Sequence, residues 1–249
     1  EGILCKAGLG LSLTGYNMET AITYEIEAEV SDPGECILPA KLFGDIVRRL
    51  PEGPVTVVVD ENYKVSIRAG YASFTISAEC ADDYPELPDV HSGKPIYLPQ
   101  GKLKELIGGT IFAVSENQAR PIHTGVKFEV EDPGISAIAV DGFRLARRTW
   151  KPEGGTGREM SFVVPAQGLK EVEKILQDSD DFVAFTLGTK HILFQMGSAT
   201  LICRLLEGEF LDWRRVVPTN CPVKLTAHVG DLASSIERVG LIVSEKYKS

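Results

Sequence analysis

From residue 22 to residue 30 the apolar positions Ile22, Tyr24, Ile26, Ala28 and Val30 alternate with Thr23, Glu25, Glu27 and Glu29. Successive side chains of a strand point to opposite faces, so this period of two predicts a strand with one buried face and one acidic, solvated face. Lys127-Phe128-Glu129-Val130-Glu131 predicts a second such strand, also with its acids outward. Further strand-like runs lie at 55–59, 65–69, 74–78, 191–195 and 200–205, separated by Gly, Pro, Asn and Asp. Three segments change period. After Pro39, the residues Phe43, Ile46, Val47 and Leu50 form a helical stripe that Pro51 closes, leaving Lys41, Arg48 and Arg49 outside. After Pro99 the stripe is Leu103, Leu106, Ile107 and Val114, with Lys102 and Lys104 outside; after Pro165 it is Leu169, Val172, Ile175 and Leu176, with Lys170 and Lys174 outside. A proline suits the first turn of each helix. Connections of a few residues leave little room for helical crossovers, so the pattern predicts an α+β fold with antiparallel sheets and helices on one face.

The pattern is also written more than once. Leu38-Pro39-Ala40 returns as Val164-Pro165-Ala166, the run Gly70 to Ile76 as Gly197 to Cys203, and Tyr84-Pro85 as Phe210-Leu211, at a nearly constant offset of domain size. Gly10-Leu11-Ser12-Leu13 matches Gly134-Ile135-Ser136-Ala137, and Ala113-Val114-Ser115-Glu116 matches Ile242-Val243-Ser244-Glu245. A chain on this period enters inside one module (1–92), completes a second (93–221) and begins a third (222–249).

Composition narrows the function classes. With 249 residues, 43% hydrophobic and 24% charged, the chain can bury one or two ordinary cores and reads as a soluble globular protein. It has no apolar run approaching the roughly 18 residues of a membrane span, and no basic region leading an apolar stretch, so a cytoplasmic protein is expected. Cys5, Cys36, Cys80, Cys203 and Cys221 form no C-x-x-C pair and read as small buried thiols; the four histidines are scattered, so no metal or cofactor is expected. The glycine-rich run 153–158 lacks the G-K-[ST] ending of a phosphate loop, and G-x-S-x-G and H-E-x-x-H are both missing, so no catalytic residue is assigned. A net charge of −9 argues at first against a nucleic-acid partner. Yet acid favours the strands and base is well represented on the helices, and screening over about 10 Å lets a local basic lining act within an acidic protein. Asp45, Glu105, Glu171 and Glu173 share those helices, so for any single helix an ordinary mixed-charge surface is the favoured account, and a basic lining needs all the helices to face one polyanion.

Several motifs occur in series: Leu-Pro-Ala at the helix start, Asp83-Tyr84-Pro85-Glu86-Leu87, Arg120-Pro121-Ile122-His123-Thr124-Gly125-Val126, Asp141-Gly142-Phe143-Arg144-Leu145-Ala146, and the run from Leu206 to Pro218. In order and spacing they resemble the bacterial DNA polymerase III beta subunits, the replicative sliding clamps, along the whole chain. The resemblance implies the DNA clamp fold: repeated domains with antiparallel sheets outside and helices lining a central hole. It implies a non-catalytic accessory subunit, catalogued at times with its polymerase. In this family a homodimeric ring encircles double-stranded DNA without reading sequence and tethers the polymerase III alpha subunit, the clamp loader and repair polymerases through short linear motifs. The matching groove positions are His123, Val140, Gly142, Phe143, Arg144, Leu145, Leu211, Arg215 and Val216, with Tyr247 on the third module. Lys41, Arg48, Arg120 and Lys174 match DNA-facing positions. Phe74 and Ile76 match one side of the dimer seam, and Leu241 and Ile242 the near edge of the other. His123, Phe143 and Leu211 depart from the family's usual residues, which implies an altered peptide preference, and Ala166 and Gln167 replace a basic helix start. A clamp-like module that binds peptides without encircling DNA is the alternative.

Overall fold

The computed structural model describes residues 2–90 and 93–242. Strands β1 (Gly2–Ala7), β2 (Leu11–Tyr16), β3 (Thr20–Ile26) and β4 (Gly34–Pro39) lead into α1 (Ala40–Val47), followed by β5 (Val55–Val59), β6 (Lys64–Ala69) and β7 (Ala72–Ser77). β8 (Ile96–Pro99) opens α2 (Gln100–Gly108), and β9 (Gly125–Glu131), β10 (Gly134–Val140), β11 (Leu145–Trp150) and β12 (Met160–Pro165) lead into α3 (Ala166–Ile175). β13 (Phe182–Leu187), β14 (His191–Met196) and β15 (Ala199–Arg204) complete the first compact unit, which ends at Phe210. The second unit, from Leu211 onward, holds α4 (Trp213–Val216) and α5 (Val229–Gly240). No helix among the described residues is long and apolar enough to cross a membrane.

All the strand pairings described are antiparallel. They build sheets in the orders β4-β1-β2-β3-β15-β14-β13-β8, β11-β10-β9-β12 and β5-β6-β7. The repeat read from sequence is visible in them. β3-β2-β1-β4-α1-β5-β6-β7 runs as β11-β10-β9-β12-α3-β13-β14-β15 does, and the hairpin glycines Gly70 and Gly197 share a left-handed φ of +54° and +59°. Pro39, Pro99 and Pro165 each hold the last extended residue before a helix rather than its first turn. The ring fixes φ near the value needed there and asks for no N–H partner.

Leu103, Leu106, Ile107, Leu169 and Val172 of α2 and α3 close the main core over Phe128, Phe162, Phe185 and Phe194, whose rings follow one another at 5.6, 5.8 and 6.3 Å. A smaller core gathers Cys36, Leu38, Ile46, Val65, Ile67 and Ile76.

Five sequence expectations fail locally. β3 stops at Ile26, with Tyr24 and Ile26 exposed, because the neighbouring β14–β15 turn arrives at Glu25, whose N–H donates to the Ser198 carbonyl at 2.9 Å. Glu129 does not face water: β9 is flanked by β10 and β12, and the Glu129 carboxylate is buried against Lys127 Nζ at 2.8 Å. α1 ends at Val47, leaving that residue exposed, and Val114 packs on the core only after a 3-10 turn at Ile111–Ala113. Of the five thiols, only Cys36 and Cys203 are buried.

Candidate functional site

The Asp141-Gly142-Phe143-Arg144 motif is the turn between β10 and β11. Asp141 Oδ1 accepts from the backbone N–H groups of Phe143 (2.9 Å) and Arg144 (3.0 Å), and Oδ2 accepts from Arg144 Nε at 2.8 Å. Aspartate is suited to this role because its short carboxylate reaches the backbone two residues on. Partial burial opposes its charge, but those three donors outweigh that and hold the Asp141 carboxyl below the usual carboxylate range. Gly142 has φ +94°, a conformation a side chain would strain. Phe143 is thereby turned outward, 96% exposed. The Arg144 guanidinium lies over the Phe112 ring, 5.8 Å from its centroid.

Beside this turn stands a second aromatic pair. The His123 ring meets Phe210 edge to face at 5.1 Å, and Lys127 Nζ lies 5.7 Å from the centre of the same phenyl. The His123 carbonyl accepts from Ser115 N–H at 2.9 Å, so the short segment from Phe112 to Ser115 ties the two clusters together. Nε2 of His123 is buried and makes no hydrogen bond within the chain. Burial first, then the Arg120 charge, lowers the His123 pKa, leaving a neutral ring with unspent hydrogen-bonding capacity.

Across the β10–β11 pair Val140 sits opposite Leu145. Val140, only 5% exposed, is a core side chain, whereas Leu145 is half-buried and accessible. In the second unit Asp212 caps α4 by accepting from Arg214 N–H at 3.3 Å and pairs with Arg215 Nε at 3.1 Å, with Leu211 and Val216 exposed. Tyr247 lies outside the described residues. The structure thus brings His123, Gly142, Phe143, Arg144 and Leu145 onto one surface of the first unit. In the second unit Leu211, Arg215 and Val216 are exposed.

Lys41 and Arg120 are exposed; Arg48 pairs with Asp45 at 2.7 Å and Lys174 with Glu171 at 2.8 Å, all on the solvent side. Phe74 and Ile76 share one face of β7, but Ile76 is 7% exposed and belongs to the smaller core. Alternate side chains leave a strand through its faces, so the free edge of β7 offers backbone groups rather than the Ile76 side chain. Leu241 and Ile242 are exposed.

Residues 2–88 match the model of the DNA polymerase III beta subunit N-terminal domain, and residues 97–212 match that of its central domain. The chain belongs to the DNA polymerase III beta subunit family. It is 32% identical over 244 residues to the beta sliding clamp of Bacillus subtilis, covering 95% of this chain and 65% of that protein. The beta sliding clamp of Staphylococcus epidermidis is 33% identical over 241 residues, covering 94% and 64%. The chain therefore spans just under two thirds of these relatives. The crystal structure of a DNA polymerase III beta subunit from Eubacterium rectale superposes with a TM-score of 0.93 at 31% identity, covering 98% of this chain and 67% of that one. The α+β architecture is accordingly the fold of the sliding clamps.

Within that family fold, sequence reasoning named Arg144 and His123 but missed the groups that hold them, Asp141, Phe112 and Phe210. The Asp-Gly turn signal was there for Asp141; nothing in the sequence pairs Phe112 with Arg144 or Phe210 with His123, because those contacts span distant segments.

The lowered pKa of His123 has a thermodynamic consequence. His191 is lowered too, by burial and then by Arg204 and Lys190. In both, the unfolded chain binds a proton more readily than the folded one, so their contribution is complete above about pH 6.5 and is lost as pH falls through the folded values. Urea midpoints measured from pH 7.5 down to pH 5 should decline, and the pair His123→Leu with His191→Gln should flatten that decline. An equally steep decline in the double variant would show that other groups drive it.

Proposed function

We propose that the chain works as a sliding clamp, a non-catalytic cytoplasmic accessory subunit that surrounds duplex DNA and tethers its partners by short peptides. The observations that carry it are Arg144, locked by Asp141 over Phe112, and His123, set edge to face on Phe210. A fixed cation beside aromatic and aliphatic surface suits a linear motif with Leu or Phe anchors: the apolar anchors bury against Leu145, Phe112 and Phe210, and Arg144 meets a peptide carboxylate or carbonyl. Candidate owners of such motifs are the polymerase III alpha subunit, the clamp loader and repair polymerases.

The DNA side of the reading rests on Lys41, Arg48, Arg120 and Lys174. Contacts to phosphate without base readout let a ring slide, and processivity follows from the high effective concentration of a tethered polymerase. The homodimer, with the edge of β7 at its seam, and the division into modules at 1–92, 93–221 and 222–249 belong to the same proposal. Tethering is tested by titrating a fluorescent peptide carrying Leu and Phe anchors. Arg144→Ala is expected to weaken binding by roughly tenfold or more, the scale of an interface hot spot. The backbone hydrogen bonds to Asp141 remain in that variant, so its urea midpoint should barely move. An unchanged Kd would remove this face as the peptide site.

A further inference from the structure

Three thiols stand abreast where the eight-stranded sheet meets the smaller core. Cys5 of β1 is paired with Cys36 of β4. On the other side of β4, Ile37 and Glu79 form an isolated antiparallel pair and exchange both backbone hydrogen bonds at 2.9 Å. Cys80 follows Glu79 in extended conformation, φ −62° and ψ 137°, as Cys36 precedes Ile37, so Cys80 falls opposite Cys36. Residues opposite one another across a sheet share a face, which puts the three sulfurs on one side. That side carries the smaller core, in which Cys36 is buried and Cys5 and Tyr63 pack against it.

The spacing suits bond formation. Ile37 and Glu79 are a hydrogen-bonded pair, so Cys36 and Cys80 are a non-hydrogen-bonded one, with Cα atoms about 4.5 Å apart; alternation turns the Cys36 backbone toward Cys5, a hydrogen-bonded pair at about 5.5 Å. Both separations lie inside the roughly 4.4–6.8 Å range of disulfides. The two side chains act on each other: the neighbouring Cys36 thiol raises the Cys5 pKa, and the neighbouring Cys5 thiol lowers that of Cys36, so one proton leaves the pair more easily and the other is held back. A hydrogen bond with Cys80 in turn raises the pKa of the Tyr63 phenol. No group of three His, Cys, Asp or Glu among the described residues is arranged to hold a metal ion.

We infer that Cys5 and Cys36 are a redox-active dithiol that a peroxide converts to a cross-strand disulfide, with Cys80 as the exchange partner of Cys36. The deprotonated sulfur of the pair attacks one peroxide oxygen; the O–O bond breaks, sulfenic acid forms, and the departing hydroxide takes up a proton. The neighbouring thiol then attacks that sulfur, the S–O bond breaks, and a second water leaves. In balance, two thiols and one hydrogen peroxide give one disulfide and two waters. Cys5, half-buried, connects the pair to solvent. Afterwards the Cys80 thiolate can displace Cys5 from Cys36 with no net oxidation. Cys203 provides the inert contrast: it is buried, with its pKa pushed up to about 11 chiefly by that burial.

The test treats the whole chain with hydrogen peroxide, blocks remaining thiols and maps peptides without reduction. Expected is the loss of two hydrogens, reversed by dithiothreitol, with Cys5 linked to Cys36 and Cys203 unchanged. Cys5→Ser should move the link to Cys36–Cys80, and Cys36→Ser should abolish linkage within the row. If Cys5 and Cys36 stay fully alkylatable while exposed Cys221 is oxidised, or if linkage in the row survives Cys36→Ser, the inference is wrong. The wild-type peptide map decides the matter even where a variant does not fold.

Discussion

Leu201→Ala is expected to destabilise the first unit by about 3–5 kcal/mol, the range for truncating a fully enclosed leucine. Leu201 is 0% exposed and sits mid-way along β15, opposite Phe194 of β14 on one side and Ile22 of β3 on the other. Strands on both flanks hold the walls of the cavity apart, so the site cannot collapse without breaking ladder hydrogen bonds. Against a total stability on the order of 5–15 kcal/mol, such a loss is large. It should appear as a lower urea midpoint at unchanged slope, whereas Leu9→Ala, at an exposed turn, should stay within about 0.5 kcal/mol of wild type. β15 joins the strands of the first repeat to those of the second, so faster hydrogen exchange is expected in β2 and β3 as well as in β13 and β14. Similar midpoints for the Leu201 and Leu9 variants would refute the enclosed setting of Leu201.

Much of this fold was legible because the repeat fixes which strands correspond. Leu38-Pro39-Ala40 and Val164-Pro165-Ala166 mark the same strand-to-helix junction twice, and each stripe from Leu103 and Leu169 faces the core as its spacing predicts. What the local pattern could not show is where a neighbour ends. Ile26 reads as buried yet lies past the end of β15, and every residue of the valine-rich edge strand β5 is exposed. Glu129 reads as solvated, but its carboxylate is buried against Lys127 on the same face of β9. α5 was missed although Val229, Leu232, Ile236 and Val239 recur at helical spacing, because it follows no Leu-Pro-Ala start. At the site, the family resemblance located Arg144 and His123, while the aromatic rings beneath them came only from tertiary structure. The row of Cys5, Cys36 and Cys80 was equally hidden, because widely separated cysteines become neighbours only through strand register.

The second large effect concerns DNA. Changing Lys41, Arg48 and Lys174 together to Glu should abolish retention on DNA at moderate salt. Arg48 and Lys174 each hold an acid three residues away, but such exposed, solvent-screened pairs hold their partners only weakly. A duplex carries one charge per roughly 1.7 Å of its axis and can displace those partners readily. Each lost phosphate contact lowers the slope of log affinity against log salt by about 0.9, so the triple variant should lose nearly three from that slope. A slope equal to wild type would mean that these side chains do not face phosphate.

Encirclement itself is probed most directly by gel filtration of the protein with a nicked circular duplex, before and after a single cut linearises it. The clamp reading requires co-elution with the circle and release once free ends exist. Equal retention on both forms, or peptide binding with no retention on either, would contradict it.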